Sequence, residues 1–373
     1  MSTIQTNAIV DAAGGNTATV NGHNITSSNT MGKNLIRNGA MQVAQRGVSG
    51  TTPTTQNYVI DRFPLNRLGG YPDNAAQSQT TDAPEGFHNS FKMIRNSAYT
   101  LTGTNASSFT QRLEGLNTSY LNWGTSTAKP VIISFWVKSN QTGNFPFILA
   151  DSGNALDIGK LYTINSANTW EYKTIAIEAP TSGTFDTDNT TSVQVVWGFG
   201  STSSARTAQG STWGTSNGAG SSKSMVTGAS TALATVNGAT WQITGVQMEV
   251  GTGATEFEYK TYADELAACQ RYYYQIKQYE NAGQYTFMIG AVGGSNTHFV
   301  VTNPQVMRAA PTVAYSGTVN LIANATSITS PANFAAYSGT KYTRLQWARG
   351  AHTAGQAAWA DIDDGVFTFS SEL

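Results

Sequence analysis

The sequence predicts a mainly-β protein with an N-terminal arm, a β-sandwich, one connecting helix and a smaller C-terminal β-domain. Two observations predict this class. Short segments alternate apolar and polar residues at period two, and turn-rich stretches separate them. Charged residues make up only 12% of the chain, about half the usual share, while Gly supplies 37 of 373 residues. Hydroxyl and amide side chains must therefore carry much of the solubility, which is typical of turn-rich β-proteins.

Charge and cysteine content exclude several classes of protein. Lys and Arg together number 21 and Asp and Glu number 22, so the net charge of -1 does not suit a nucleic-acid-binding surface. Cys269 is the single cysteine, and no intrachain disulfide can form. No apolar run approaches the roughly 18 residues of a membrane span, so we expect no membrane insertion. Residues 1–6 lack the features of a secretory signal, and we expect synthesis in a reducing cytoplasm.

Residues 1–32 are predicted to form a separate arm. Their few apolar residues are scattered and cannot form a core. Two short strand-like stretches flank a turn at Ala13–Asn16, and Asn21-Gly22 marks a second turn. An isolated hairpin is marginally stable in water, so we expect the arm to pack against another chain or another copy of itself.

Residues 33–260 are predicted to form the sandwich. Trp136 and Lys138 alternate with the apolar residues Phe135 and Val137, which places Trp136 on a polar face. Trp197 shares its face with apolar neighbours and is expected in the core. Residues 201–240 are expected to be long surface loops. The predicted strands are Tyr58–Leu65, Ser90–Arg95, Val131–Lys138, Trp170–Ile177, Ser192–Phe199 and Trp241–Val250.

A helix is predicted within residues 261–278, where helix formers run without Gly or Pro. Asp264 and Glu265 lie in its first turn, where the helix dipole favours acidic side chains. Cys269 lies on its apolar face, so packing is expected rather than reactivity. Residues 279–373 return to a strand pattern and are predicted to form the C-terminal β-domain.

Three stretches of the sequence form a recognisable set. In chain order they are Asn34–Val43 (NLIRNGAMQV) with Gln45–Gly47 and Tyr58–Phe63 (YVIDRF), Ile243–Gly251 (ITGVQMEVG) with Ala254–Glu258 (ATEFE), and Tyr262–Tyr274 with its CQRYY sequence. Together they resemble a module of bacteriophage tail fibres and other virion appendage proteins. Residues 7–22 and 307–312 are also similar to the N-terminal segments and C-terminal domains of such proteins.

The resemblance covers residues 33–275 and implies a jelly-roll sandwich related to carbohydrate-binding modules. It further implies a homotrimer on the virion, with residues 1–32 attaching the protein to other phage virion proteins. The ligand that it implies is a host-surface polysaccharide. A structural calcium ion is also compatible with it, since related sugar-binding jelly rolls often carry one; no other cofactor is expected.

Glycan binding requires exposed aromatic faces with polar groups beside them. Of the candidate rings Trp123, Trp136, Trp170, Tyr172, Trp197 and Trp213, three are selected as glycan-binding residues. Trp136 has polar company on its strand, and Trp123 and Trp213 stand in Gly-containing loops. The alternative is that these rings pack at a loop base or at a subunit interface, as most large aromatic residues are buried.

The weak metal candidates are Asp61 and Glu249, whose carboxylates together with main-chain carbonyls near Asn38 could bind calcium. The alternative, which we favour, is that Asp61 pairs with Arg37 or Arg62 and that Glu249 ends a strand.

Catalysis is not expected. The four histidines are isolated from metal-ligand partners, and neither a nucleophile elbow nor a phosphate loop occurs. The sequence therefore favours a non-enzymatic virion protein, a short tail fibre that contacts host glycans. Two alternatives stay open, namely a purely structural capsid-decoration or tail-adaptor protein and a tail-associated glycan depolymerase with a distant carboxylate pair.

Overall fold

A computed structural model describes residues 33–51, 56–68, 75–102, 105–153, 155–201, 206–207, 212–215, 225–277, 286–324 and 326–373, with the pairs 19–20 and 23–24. Most of the predicted arm, including the turn at Ala13–Asn16, lies outside the described residues. Two strands of the arm are described, β1 (Thr19–Val20) and β2 (His23–Asn24), and they pair antiparallel on either side of Asn21-Gly22.

The sandwich spans the first two thirds of the described chain. Its short helices are α1 (Gly115–Thr118), a 3-10 turn (Ser119–Leu121) and α2 (Ala232–Thr235). Its strands are β3 (Ser49–Thr51), β4 (Gln56–Ile60), β5 (Phe63–Leu68), β6 (Ala75–Thr80), β7 (Ser90–Arg95), β8 (Ala106–Glu114), β9 (Val131–Ser139), β10 (Gly143–Asp151), β11 (Leu156–Ile164), β12 (Glu171–Ile177), β13 (Thr191–Ser201), β14 (Arg206–Thr207), β15 (Gly214–Thr215), β16 (Met225–Val226) and β17 (Thr240–Val250).

Two antiparallel sheets face each other across one core. The seven-stranded sheet has the order β15-β11-β10-β13-β8-β5-β4, and the six-stranded sheet has the order β12-β9-β17-β7-β6-β3. Strands β14 and β16 form a separate parallel pair. The predicted β-sandwich is confirmed, and the strands β6, β8, β10 and β11 are additions that the sequence pattern did not reveal.

Aromatic rings fill the space between the sheets. Phe109 stacks on Phe63 at 5.0 Å and on Phe91 at 4.2 Å between ring centroids, which joins the two sheets. Trp197 and Trp241 are fully buried against this stack. The expected core position of Trp197 is confirmed. Each such ring removes a large apolar area from water, so the centre of the sandwich is its most stable part.

A bulge in β17 decides which of its side chains face the core. Trp241 and Ile243 are buried in the core before the bulge, and Val246 and Met248 are buried there after it. Gly245 has a φ of 61°, a left-handed conformation that favours glycine. The extra residue at the bulge moves the core-facing positions from odd-numbered to even-numbered residues. Strict alternation between the two faces therefore does not hold along the whole of β17.

The connecting helix α3 runs from Tyr262 to Gln270 and is capped by Thr261, whose side chain accepts a hydrogen bond from the Asp264 amide at 3.2 Å. The predicted helix is confirmed in this part only. Residues Tyr273–Lys277, which the sequence placed in the same helical segment, form strand β18 instead. Strand pairing with the C-terminal domain overrides the helix-forming composition there.

The C-terminal domain is an eight-stranded antiparallel sheet. Its order is β22-β21-β25-β19-β20-β24-β23, and β18 also pairs with β25. One face covers a core around Trp347, Phe299 and Phe367. Its strands beyond β18 are β19 (Thr286–Val292), β20 (Asn296–Thr302), β21 (Thr312–Ala323), β22 (Thr326–Thr329), β23 (Ala335–Ser338), β24 (Tyr342–Ala348) and β25 (Ala357–Ser370).

A charged network joins the sandwich to the C-terminal domain. Arg62 and Arg46 of the sandwich both pair with Glu372, and the Arg62 side chain is only 3% exposed. Glu114, which is buried at the end of β8, pairs with Arg271 beyond α3. Buried ion pairs tolerate little displacement, because separating them leaves a charge without a partner. The two domains are therefore held in one orientation.

Among the described residues, no helix is long and apolar enough to cross a membrane.

Candidate functional site

The outer face of the six-stranded sheet carries the most distinctive surface chemistry of the sandwich. On β9, Val131, Ile133, Phe135 and Val137 are fully buried in the core. Alternation then places Trp136 on the opposite face, as the sequence predicts. The indole of Trp136 is half-buried there, where it packs on another ring as part of an aromatic surface patch rather than of the core.

Trp136 forms a ring pair with Tyr172. The two residues are direct neighbours in the register of β9 and β12, and their ring centroids lie 5.3 Å apart at an interplanar angle of 49°. Trp136 is half-buried and Tyr172 is 44% exposed. The ladder between β12 and β9 is unbroken over Glu171–Ile177, so the two rings are preorganised relative to each other.

Gly245 lies against Trp136 and against a further ring, Phe87. A Cβ atom at position 245 would lie 2.6 Å from the Phe87 ring and 3.1 Å from Cδ1 of Trp136. The bulge therefore places bare main chain beside the Trp136 and Phe87 rings. Phe87 continues the aromatic surface, since it packs against Phe257 at 5.0 Å and Tyr259 at 5.5 Å between ring centroids.

A polar cluster flanks the ring pair. Asp82 accepts hydrogen bonds from Lys138 Nζ at 2.6 and 2.7 Å, from Gln242 Nε2 at 3.0 Å and from Trp170 Nε1 at 3.3 Å. The Lys138 ammonium lies 5.4 Å from the centroid of the Trp170 ring. We call the six residues Asp82, Trp136, Lys138, Trp170, Tyr172 and Gln242 the ring face.

Electrostatics keep Asp82 ionised. Partial burial opposes its negative charge, but the hydrogen bonds from Lys138, Gln242 and Trp170 outweigh that effect and hold the pKa of Asp82 below its usual value. The side chain is 43% exposed, so its oxygens still face solvent. The ring face thus combines an electrically neutral ion pair with aromatic surface, and it can accept and donate hydrogen bonds beside a stacking platform.

Two of the predicted glycan-binding residues lie elsewhere. Trp123 is 8% exposed, and its indole N–H donates to the Lys129 carbonyl at 2.8 Å. Trp213 is half-buried and donates to the Glu178 carbonyl at 2.7 Å. Their rings pack against each other at 5.3 Å and against Phe185, where they close one edge of the sandwich. This packing matches the alternative reading, in which loop tryptophans serve as structural anchors.

Asp61 faces the domain interface. Its carboxylate accepts hydrogen bonds from the Gln45 amide at 3.1 Å and from the Gln45 side chain, and Arg46 lies 3.5 Å away. The expected partners Arg37 and Arg62 are thus replaced by Arg46. Burial raises the pKa of Asp61 to about 6, even though Arg46 and Gln45 act to lower it.

Glu249 holds a loop at the other end of β17. Its carboxylate accepts hydrogen bonds from Gln247 at 2.8 Å and from the amide and hydroxyl of Thr255 at 2.9 and 2.7 Å. It is 1% exposed and saturated by donors of the chain. Among the described residues, no group of three or more acidic, histidine or cysteine side chains could hold a metal ion. Neither Asp61 nor Glu249 therefore belongs to such a group. The donor sets around both carboxylates do not fit a calcium site.

Sequence reasoning selected Trp136 and named Trp170 and Tyr172 among its candidate rings, but it missed the polar side of the ring face. Asp82 lies in the connection after β6 and reaches Lys138 from 56 residues away. Only the pairing of β17 with β9 brings Gln242 beside Lys138. Alternation on β12 does place Tyr172 away from Ile175 and Ile177, and this signal could have selected it.

No family model and no curated protein matches the sequence. Solved structures that are similar include the enzymatically active domain of tailspike protein 4 of bacteriophage CBA120, at 15% identity and a TM-score of 0.33. That match covers 59% of this chain and only 22% of the tailspike chain. A Bacteroides thetaiotaomicron protein that is described as a putative sugar binding protein matches at 11% identity and a TM-score of 0.33, and the match covers 58% of this chain and all of that protein. A family 11 carbohydrate-binding module of Clostridium thermocellum matches at 12% identity and a TM-score of 0.28. That match covers 56% of this chain and 98% of the module. Such scores transfer no function to this chain.

Proposed function

We propose that this chain is a non-catalytic adhesion protein that binds glycans through the ring face. The observation that carries the proposal is the preorganised pair of Trp136 and Tyr172 beside the Asp82–Lys138 pair. Pyranose rings present C–H groups on their faces and hydroxyls at their edges. An aromatic platform with adjoining hydrogen-bonding groups complements both.

The charge on Asp82 supports a binding role rather than hydrolysis at the ring face. A glycosidase that uses a general acid needs a carboxyl group whose pKa is raised. The hydrogen bonds that lower the pKa of Asp82 have the opposite effect. Lys138 also occupies both oxygens of the carboxylate.

The setting that we propose is a bacteriophage virion, in a tail or another surface appendage, after synthesis in the host cytoplasm. The sequence resemblance over residues 33–275 supports this setting. In it, the ring face contacts polysaccharide on the host surface, residues 1–32 attach the protein to other virion proteins, and several copies assemble together.

The test is binding of the fluorescently labelled full chain to an array of bacterial surface polysaccharides, with and without periodate oxidation. We expect saturable, periodate-sensitive binding that falls at least about tenfold in Trp136→Ala and Tyr172→Ala. Tyr342→Ala is the matched control, because Tyr342 is a 60% exposed tyrosine in the C-terminal domain. Equal binding by the control and the ring-face variants would refute the proposed site.

The same array separates the two alternatives. A folded protein that binds no polysaccharide would favour a purely structural virion role. Release of reducing sugar would favour a depolymerase and would contradict the non-catalytic proposal.

A further inference from the structure

Three aromatic residues adjoin the ring face on the side where β7 begins. Phe87 lies 5.5 Å from Tyr259 and 5.0 Å from Phe257, and Phe257 lies 5.0 Å from Tyr259, all between ring centroids. We call these three residues the aromatic triad. None of them belongs to the core cluster of the sandwich. The triad is therefore a surface feature, as the pair of Trp136 and Tyr172 is.

The triad and the ring pair are contiguous. Gly245 is buried, and a Cβ atom there would meet both the Phe87 ring and the Trp136 ring. By contact, the rings thus follow one another across the sheet in the order Tyr172, Trp136, Phe87 and Tyr259. The two end rings are the most exposed, at 44% for Tyr172 and 59% for Tyr259. A chain molecule that lies along these rings can therefore continue into solvent at both ends.

Packing fixes the tilt of the triad. The Phe87 and Tyr259 rings are inclined by only 34° to each other, while Phe257 meets them edge-on at 71° and 75°. Edge-to-face contacts are favourable between aromatic rings, so Phe257 supports the other two. Tyr259 also lies against bare main chain, since a Cβ atom at Gly86 would come within 2.8 Å of its hydroxyl oxygen.

Buried polar residues of β17 hold the segment that carries two of the three rings. This segment is 251–261, between β17 and α3. Gln247 accepts a hydrogen bond from the Glu258 amide at 2.8 Å, and Glu249 accepts from the Thr255 amide at 2.9 Å. Gln247 and Glu249 are at most 1% exposed. Because buried polar groups must keep their bonds, these contacts fix the segment before any ligand arrives, which lowers the entropy cost of binding.

We infer that the aromatic triad is a second stacking subsite, and that the protein takes an internal stretch of a polysaccharide chain rather than a single terminal sugar. This inference rests on the proposed function, because the ring pair supplies the first subsite. A sugar ring covers one aromatic ring, so a ligand that reaches from Tyr172 to Tyr259 contains about three or more linked sugars.

Polar groups border the triad, as they border the ring pair. The Lys33 ammonium donates to the Thr255 hydroxyl at 2.6 Å and to the Glu256 carbonyl at 2.7 Å. The Glu256 side chain is exposed, and partial burial together with its charge raises the pKa of Tyr259. The Tyr259 hydroxyl therefore stays neutral, and the Glu256 carboxylate can accept hydrogen bonds from sugar hydroxyls.

The dependence of affinity on chain length tests the inference. The probe is a size-separated ladder of oligosaccharides, made by partial acid hydrolysis of each polysaccharide that binds in the array and titrated into the full chain by calorimetry. We expect the affinity to rise at least about tenfold from the disaccharide to chains that reach both subsites, and then to level off.

Tyr259→Ala should remove this gain. We expect it to bind the long oligosaccharides at least about fivefold more weakly than the wild-type protein, with unchanged binding of the shortest ones, which use the ring pair. Tyr259→Phe keeps the ring and should bind every length as the wild-type protein does. Tyr262→Ala is the matched control, because Tyr262 is a 57% exposed tyrosine three residues further along and lies outside the triad.

The outcomes separate this inference from the proposed function. Unchanged binding of every length by Tyr259→Ala, or a disaccharide that binds as tightly as the longest chain, would refute the second subsite and leave the ring face in place. Weaker binding by Tyr259→Ala with none by Trp136→Ala or Tyr172→Ala would refute the ring face and the two-subsite arrangement together. Absence of binding to every polysaccharide would overturn both.

Discussion

The outer faces of the six-stranded and the eight-stranded sheets are both turned away from a core, yet their chemistry differs. On the ring face, Trp136 and Tyr172 stand beside the Asp82–Lys138 pair, where polar groups bind one another and still face solvent. On the eight-stranded sheet, Ile289 and Val300 adjoin and expose aliphatic carbon to solvent. A hydroxyl-rich ligand suits the first surface and a protein surface suits the second. The comparison shows that the side chains between the aromatic residues determine the partner.

The largest effect is expected where the two domains meet, because that junction places both faces on one rigid body. Arg62 pairs with Glu372, donates to the Arg112 carbonyl at 2.8 Å and lies 3.6 Å from the Tyr272 ring. Arg62→Met would leave Glu372 short of a partner and should lower the free energy of unfolding by about 3–5 kcal/mol.

Urea denaturation measures this loss. Lys160→Met is the control, since it removes a solvent-exposed pair with Glu178 and should cost under about 1 kcal/mol. Equal midpoints for the two variants would mean that the junction does not couple the domains.

A second test concerns aromatic residues that belong to neither face. Trp123→Ala should lower the free energy of unfolding by about 3 kcal/mol, because it opens a cavity at the sandwich edge between Phe185 and Trp213. Polysaccharide binding by the folded variant should be unchanged. Tyr120→Ala, at a neighbouring ring that is 43% exposed, should cost far less. Loss of binding in Trp123→Ala with intact stability would place a ligand site at this edge.

The pH dependence of stability tests the buried charge at the junction. The pKa of Asp61 is raised to about 6 in the folded protein from an ordinary value of 3.8. The folded state therefore holds this proton more tightly, and the free energy of unfolding should increase as pH falls from about 6 to about 3.8. The gain is at most about 3 kcal/mol, and it disappears as pH rises through about 6.

Burial raises the pKa of Asp61 most, Arg46 and Gln45 lower it, and Glu372 raises it further. In Asp61→Asn the slope of unfolding free energy against pH should flatten within that window. Chemical denaturation at several pH values measures the slope. Identical slopes for the variant and the wild-type protein would assign the pH dependence to other groups.

The smallest effect is expected when the ring face changes from electrically neutral to positively charged. Asp82→Asn frees the Lys138 ammonium and gives the ring face a net positive charge. Binding should shift a few-fold toward polysaccharides that carry carboxylates, with a stability change under about 1 kcal/mol. Glu178→Gln is the control, because it frees Lys160 away from the ring face. An equal shift in both variants would show that overall charge, rather than the ring face, selects the ligand.

The sequence pattern predicted the sandwich strands whose two faces differ in polarity. Ser90–Arg95 is a strand with the predicted bounds, and Val131–Lys138 is extended by one residue. It missed β10 and β11, which carry mixed or continuous apolar runs whose period is ambiguous. It also extended the helix too far, because the pairing of Tyr273–Lys277 with β25 joins residues about ninety positions apart, and no local propensity encodes that contact.

The sequence by itself determined the mainly-β class, the helix that begins at Tyr262, the core position of Trp197 and the outward position of Trp136. These features depend on neighbours within a few residues, so alternation and helix-forming composition reveal them. Only the tertiary structure decided that Asp82 and Gln242 join Trp136, that Trp123 and Trp213 pack together, and that Ile289 adjoins Val300. Those contacts depend on strand order and register, which are set by the packing of the whole sheet.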